Sequence, residues 1–329
     1  MSSKKRAGIT ALGVYAPEKV LSNDDLSTFM DTSDEWIRER TGIERRHITA
    51  DDEFTSDIAI RSVEDLVKRH GDKALEGVDM VIVATNTPDA LFPSTAALVQ
   101  DHFHLKAGAF DLLAACPGWL YSLSVAQGYV EAGICKKVLA IGAEALTKVI
   151  DWEDRATAVL FGDGSGATIV EAVDEPYGIK SMVLGADGSG GKHLHMRSVG
   201  RCLPDGTPLQ EKTQMNGREV FKFAVRVMNT STLEAVKKAG MTNEDISLFV
   251  PHQANLRIIN AAAERLELPD DRVVKTVAEY GNTSTASIPL ALQHAVEDER
   301  IKQGDNLLLV SFGAGLTWAA SVLTWGDLH

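Results

Sequence analysis

Apolar residues along the chain fall into two kinds of run. Short unbroken stretches between turn residues have the length of buried strands, and longer stretches with apolar positions every third or fourth residue have helical periodicity. The tract over 7–14 is too short and too glycine-broken for a signal peptide and reads as a first strand. Residues 55–70 repeat at helical spacing, and 78–84 form a continuous apolar strand that stops at Thr85-Asn86-Thr87-Pro88. Residues 107–112 predict another short buried strand, followed by a helix carrying Leu120, Leu123, Ala126, Tyr129 and Val130 on one face. A further strand covers 136–143. The apolar stretch over 157–170 is interrupted by Gly162-Asp163-Gly164-Ser165-Gly166, which reads as a tight turn.

The order then repeats. Asn216-Gly217-Arg218-Glu219 has capping-box spacing and opens a helix that runs to about residue 239 and stops at Gly240. A strand over 246–250 ends in Pro251-His252-Gln253-Ala254-Asn255, and a helix follows over 256–266. Gly281-Asn282-Thr283-Ser284 opens another helix through 295, and 306–311 is again a strand. The apolar tract over 307–325 approaches membrane-span length, but Ser311, Gly313, Gly315 and Thr317 interrupt it. It reads as two strands joined by the Gly313-Ala314-Gly315 turn. Helix, strand, helix, strand thus occurs twice at an offset of roughly 165 residues, which predicts two related α/β halves.

Composition narrows the function classes. The chain of 329 residues can bury one large core or two fused ones, and 44% hydrophobic with 24% charged residues suits a soluble globular protein. Basic residues number 33 against 46 acidic ones, a formal charge of −13, which argues against general nucleic-acid binding. An acidic partner would have to meet a local basic patch. Cys116, Cys135 and Cys202 are odd in number and unpaired in spacing, so neither a disulfide framework nor a CxxC zinc site is suggested and a reducing cytoplasm fits. Cys135 and Cys202 read as structural.

Cys116 stands apart. In Asp111-Leu112-Leu113-Ala114-Ala115-Cys116-Pro117-Gly118-Trp119 it falls where a strand gives way to a helix. A thiol there feels the positive end of the helix dipole, which favours the thiolate and lowers its pKa. A buried structural cysteine is the competing reading, because the stretch supplies neither base nor orienting partner. In open α/β sheets ligands meet the C-terminal strand ends, where His252 and Asn282 also fall, so two facing halves would bring the three together. Trp36, Arg38, Arg40 and Arg45-Arg46 read either as a solvated helix end or as a cradle for a phosphorylated aromatic ligand. His102-Phe103-His104 and His193-Leu194-His195 read as solvated loops rather than metal sites. The order Cys, His, Asn also fits a papain-like cysteine hydrolase, although Cys116 lies far from the N-terminus and lacks that family's surrounding residues.

Taken in order, six segments carry a resemblance through essentially the whole chain. They are Asp31-Thr32-Ser33-Asp34-Glu35-Trp36-Ile37 with Arg40-Thr41-Gly42-Ile43, Ala114-Ala115-Cys116, Phe161-Gly162-Asp163-Gly164, Val250-Pro251-His252-Gln253-Ala254-Asn255, Gly281-Asn282-Thr283-Ser284 and Ser311-Phe312-Gly313-Ala314-Gly315. With them the sequence resembles the thiolase-like condensing enzymes, and among these the β-ketoacyl-acyl-carrier-protein synthase III family. The resemblance implies an α/β thiolase-like fold with duplicated halves, 1–175 and 176–329, in a five-layer αβαβα arrangement. It also implies a cytoplasmic homodimer with no cofactor, no metal, and no nucleic-acid or membrane partner. The implied reaction is the decarboxylative condensation of a short acyl-coenzyme A with malonyl-acyl carrier protein, which starts fatty acid elongation. A relative using another primer for secondary metabolism is the alternative within the family.

The resemblance implies a role for each matching residue. Cys116, His252 and Asn282 would be catalytic, with the backbone N–H groups of Cys116 and Ala314 as oxyanion hole; Ala314 stands where many relatives have glycine. Thr32, Trp36, Arg40, Arg155 and Asn255 would hold coenzyme A. Lys222, Arg226 and Arg257, with Gln253, Ala254, Asn255 and Leu256, would meet the carrier protein, although Glu264 is acidic where relatives often place a lysine. Phe92 matches an aromatic that a neighbouring subunit lends to the acyl pocket.

Overall fold

The computed structural model describes residues 5–328. The chain opens with β1 (Lys5–Tyr15), β2 (Lys19–Ser22), α1 (Asn23–Ser27), α2 (Asp34–Thr41), β3 (Arg45–Ile48) and α3 (Thr55–His70). Then come β4 (Met80–Ala84), α4 (Thr95–His102), β5 (Gly108–Leu112), α5 (Gly118–Glu131), β6 (Lys137–Glu144), α6 (Arg155–Ala158) and β7 (Gly164–Asp174). The remainder gives β8 (Gly178–Ala186), β9 (Leu194–His195), β10 (Gln214–Met215), α7 (Gly217–Lys238), β11 (Leu248–Pro251) and α8 (Leu256–Arg265). It ends with α9 (Val277–Tyr280), α10 (Ser287–Glu297), β12 (Asn306–Gly313) and β13 (Thr317–Thr324).

Two sheets share one topology. The first has the order β1-β7-β6-β4-β5 and the second β8-β13-β12-β11. In each, the outermost two pairings are antiparallel and the next is parallel: β1–β7, β7–β6 and β6–β4 match β8–β13, β13–β12 and β12–β11. Among the described residues the second sheet has no full counterpart of β5. A parallel bridge from Phe249 to Val273 occupies that place beside β11. The chain passes from one sheet to the other between Asp174 and Gly178.

Helices α5 and α10 lie between the sheets and touch strands of both, while α3 and α4 cover the outer face of the first sheet and α7, with α8 against it, that of the second. This is the five-layer αβαβα arrangement. Central strands are therefore buried on both faces, which is why they read as unbroken apolar runs. On β4, Ile82 faces the middle layer while Val81 and Val83 face α3; on β12, Leu307 and Leu309 point inward while Leu308 and Val310 point toward α7.

Three local expectations are corrected. β5 is half-exposed rather than buried, because it is the last strand of its sheet and one of its edges is unpaired. Gly164-Ser165-Gly166 is not a turn but the start of β7, where a Cβ on Gly166 would lie 2.1 Å from Cβ of Pro289 on α10. Glycine here admits a close helix-on-strand approach between the halves. The capping box at Asn216 is one-sided: Asn216 accepts from the Glu219 N–H, but the Glu219 carboxylate pairs with Lys222 at 2.7 Å.

Candidate active site

β5 ends at Leu112 and the chain turns sharply before Pro117 caps α5. Ala115 takes φ 55°, a left-handed conformation that costs a residue with a Cβ about 1–2 kcal/mol. The Ala115 carbonyl accepts from the Gly118 N–H at 2.8 Å, so Cys116 is held on a tight bend ahead of the helix. Its thiol is half-buried, and burial pushes its pKa from the ordinary 9.0 up to about 12. The expectation of a depressed pKa is thereby corrected. A helix N-terminus is worth roughly 0.3–1 kcal/mol, whereas the rise corresponds to about 4 kcal/mol, so desolvation wins.

His252 follows β11 and is fully enclosed. Its N–H donates to the Val310 carbonyl at 2.7 Å, its Nδ1 lies 2.6 Å from the Ser287 hydroxyl at the start of α10, and its ring meets Phe312 edge-on. Burial lowers its pKa to about 3, so the imidazole is neutral near pH 7. A Ser287 hydroxyl donating to Nδ1 leaves the ring proton on Nε2.

Asn282 is fixed on both sides. Its N–H donates to Leu160, its carbonyl accepts from Gly162, and its Oδ1 accepts from the Ser284 N–H at 2.9 Å. With Oδ1 so engaged, the amide NH₂ is the group presented to the cavity. Cys116, His252 and Asn282 line one cavity of about 130 Å³ with Phe161, Phe312 and Gly313. A larger surface groove of about 470 Å³, lined by Phe29, Trp152 and three lysines, contains none of the three. Convergent polar groups, not volume, mark the reactive site.

The Gly313-Ala314-Gly315 turn lies against Cys116. A Cβ on Gly313 would fall 2.6 Å from the Cys116 nitrogen, and Thr317 Oγ1 donates to the carbonyls of Ala114 at 2.9 Å and Ala314 at 3.1 Å. The left-handed residue of the turn is Gly315 at φ 68°, not Ala314. Alanine at 314 therefore brings no left-handed strain.

Near the cavity, Trp36 on α2 is flanked by two guanidiniums, Arg155 at 4.5 Å and Arg40 at 5.1 Å from the ring centre. Thr32 has a buried hydroxyl with no hydrogen-bond partner among the described residues. Asn255 caps α8 through the Arg257 N–H and donates to the Arg40 carbonyl at 3.1 Å, tying this cluster to the cavity it also lines. The other cations of the segment have separate roles. Arg38 pairs with Asp34 and Glu44, Arg45 with Glu279, and buried Arg46 ties Leu21, Asn23 and Val159 together.

Lys222, Arg226 and Arg257 are exposed, with Arg226 over Phe223 and Arg257 over Phe221. Leu256 packs on Gly42. The assignment of Gln253 and Ala254 to a carrier-protein surface is corrected. Gln253 is 1% exposed, donates to Pro251 and Val274, and accepts from the N–H groups of Thr276 and Val277; Ala254 is buried against the cavity. Phe92 is 85% exposed and, with Leu91, stands outside the cavity of its own chain. Among the described residues no three His, Cys, Asp or Glu side chains are grouped to hold a metal, and no helix is long and apolar enough to cross a membrane.

Sequence reasoning missed Ser287, Thr317 and a buried acid, Glu144, hydrogen-bonded to Ser284 at 3.0 Å. The available signal was a carboxylate closing the apolar run of β6.

Comparison with known proteins agrees with this geometry. Residues 110–188 match the family model for 3-oxoacyl-[acyl-carrier-protein] synthase III, and residues 236–325 match that family's C-terminal model. A relative from Deinococcus deserti described as β-ketoacyl-[acyl-carrier-protein] synthase III is 50% identical over 325 residues, 98% of this chain and 93% of the relative. One of the same description from Caldanaerobacter subterraneus is 49% identical and covers 99% of both chains. A crystal structure of β-ketoacyl-[acyl carrier protein] synthase III from Thermus thermophilus has 67% identity and a TM-score of 0.96, covering 97% of this chain and 99% of that one. The fold, the converging thiol, imidazole and amide, and these likenesses together place the chain in the 3-oxoacyl-[acyl-carrier-protein] synthase III family.

Proposed function

We propose that this enzyme starts fatty acid chains: it takes a short acyl group, acetyl in the first instance, from coenzyme A and condenses it with malonyl-acyl carrier protein. The observation that carries the reading is the meeting of Cys116, a neutral His252 and an oriented Asn282 in one mainly apolar cavity. Cys116 attacks the thioester and holds the acyl group. Loss of CO₂ from the malonyl thioester then leaves an enolate, whose oxygen is met by His252 Nε2–H and the Asn282 amide. Neutral donors suit this step, because they stabilise the anion without repelling or trapping it. During acyl transfer the carbonyl oxygen is held by the backbone N–H groups of Cys116 and Ala314. A papain-like hydrolase is disfavoured, since its thiolate depends on a charged imidazolium and His252 is held neutral.

Coenzyme A is received at Thr32, Trp36, Arg40, Arg155 and Asn255. Adenine stacks at Trp36 while the guanidiniums pair with phosphate, in keeping with the Trp36 cluster and the unpartnered Thr32 hydroxyl. The acidic carrier protein docks on Lys222, Arg226 and Arg257, beside Leu256. Two copies associate along the first sheet, in keeping with the open edge of β5 and the exposed Leu91, Phe92 and Leu113. Phe92 then closes the acyl pocket of the partner. The halves 1–175 and 176–329 are duplicated domains, and the enzyme works in the cytoplasm without metal or cofactor. Incubation with acetyl-coenzyme A and malonyl-acyl carrier protein tests the reading: acetoacetyl-acyl carrier protein and CO₂ form, while a peptide substrate is left intact.

A further inference from the structure

The site as described has no proton acceptor for Cys116. The thiol is pushed up to about 12, and the buried His252, lowered to about 3, is too weak a base to accept its proton. Yet a carboxylate stands close by. Glu144, the last residue of β6, is fully buried and, among the described residues, pairs with no cation. Its donors are the Asn86 N–H at 3.1 Å, the Asn86 amide, the Thr87 hydroxyl at 3.2 Å and the Ser284 hydroxyl at 3.0 Å, all neutral. The Ser284 side chain also acts on the Cys116 sulfur, favouring its thiolate, and the next residue, Thr285, has its methyl 3.0 Å from where a Cβ on Gly118 would stand, so this turn packs against the start of α5 beside Cys116. Ser284 takes φ 49°, a strained conformation for a residue with a Cβ, on the turn from which its hydroxyl donates to Glu144. We propose that Glu144 accepts and stores the Cys116 proton, passed to it through the Ser284 hydroxyl.

Burial pushes Glu144 up to about 7, so the carboxyl can both take and return a proton near neutrality. The titratable groups of the adjoining cavity are Cys116 and His252; Asn86 and Thr87, after β4, and Ser284, before α10, are uncharged. Asp163 is also buried on neutral donors, from Thr49 and Thr147, but none of these leads to Cys116. It serves as the structural comparison.

The steps balance. As sulfur attacks the thioester carbon, the thiol proton moves to Ser284 Oγ and the serine proton to Glu144 Oε1. The bond to coenzyme A breaks, and its thiolate leaves and takes a proton from solvent. In the second half the malonyl C–C bond breaks, CO₂ departs, and the electron pair forms the enolate that attacks the acyl carbon. The bond to Cys116 breaks, and the cysteine thiolate recovers its proton from Glu144 through Ser284. One solvent proton is consumed overall. Glu144 is neutral while the malonyl carboxylate and the enolate occupy the site, so no buried like charge opposes them.

This inference rests on Cys116 being the acylated residue, and the test separates the two claims. Single-turnover transfer of labelled acetyl from acetyl-coenzyme A to the full-length enzyme is followed across pH for wild type, Glu144→Gln and Ser284→Ala. In the wild type the rate rises with pH through an inflection near 7. In both variants that inflection moves up to the thiol's own alkaline range, and the rate at pH 7 falls about 10²-fold, the lower end of general-base contributions. Variants that keep the neutral inflection and stay within about threefold of wild type overturn the role of Glu144. Should Glu144→Gln fail to fold, Ser284→Ala decides alone, because it retains the backbone N–H that orients Asn282. Wild-type enzyme that takes no label at any pH contradicts the role of Cys116 instead.

Discussion

At the residue scale, burial rather than the helix dipole sets the chemistry. Cys116, His252 and Glu144 are all moved toward their neutral forms, to about 12, 3 and 7, by removal from water. A neutral site can admit a malonyl carboxylate and an enolate in turn. His252→Ala or Asn282→Ala should slow malonyl decarboxylation by about 10²-fold, the usual loss for one preorganised donor, while sparing acetyl loading of Cys116. Measuring CO₂ release and label transfer on each variant checks this division. The same shifts predict stability against pH. Glu144 has a folded pKa raised above 4.5, so the folded state binds more protons and its contribution is lost as pH rises from about 4.5 through 7. For His252, depressed below 6.5, the unfolded state binds more protons, and stability is lost as pH falls from 6.5 toward 3. Glu144→Gln should therefore gain stability relative to wild type between pH 5 and pH 8, by up to about 3 kcal/mol, in urea melts at the two pH values.

At the scale of elements, the site is assembled from loop ends that separate layers hold in place. Cys116, His252 and Asn282 were legible in the sequence because each follows a strand or opens a helix within a motif. The link between Glu144 and Ser284 was not, since it spans 140 residues and no local pattern joins the carboxylate that ends β6 to the serine of the Asn282 motif. Residues 162–166 look like turn chemistry, yet they owe their glycines to contact with α10 and with Tyr280. Gln253 sits in a motif with surface neighbours, but its amide is spent on four internal backbone groups. The two clusters proposed for docking differ in kind. Trp36 and Arg40 on α2 form a stacked cluster, whereas the Lys222 charge is already offset by Glu219. Trp36→Ala should raise the KM for acetyl-coenzyme A and hardly change that for malonyl-acyl carrier protein. Arg257→Glu should do the reverse, more strongly at low salt, because exposed charges are screened over a Debye length of about 8 Å. Steady-state kinetics with each substrate varied in turn, at two ionic strengths, measures both; equal losses for both substrates would show general destabilisation.

At the scale of the whole molecule, the repeat seen in the pattern of apolar runs corresponds to two sheets of one topology, with the fifth strand of the second reduced to the Phe249–Val273 bridge. That asymmetry is invisible to periodicity, because Val273-Val274 is as apolar as a short strand. Stacking the sheets on α5 and α10 places the strand ends of both halves at one cavity, to which the first half brings Cys116, the proposed nucleophile, and the second His252 and Asn282, the proposed enolate donors. The most direct test of this division is intact-protein and peptide mass spectrometry of enzyme incubated with acetyl-coenzyme A, before and after adding malonyl-acyl carrier protein. The account predicts a single acetyl group on the Cys116 peptide, discharged on the second addition as acetoacetyl-acyl carrier protein. Acetyl on Cys135 or Cys202 instead, or a Cys116→Ser enzyme that forms product at the wild-type rate, would contradict it.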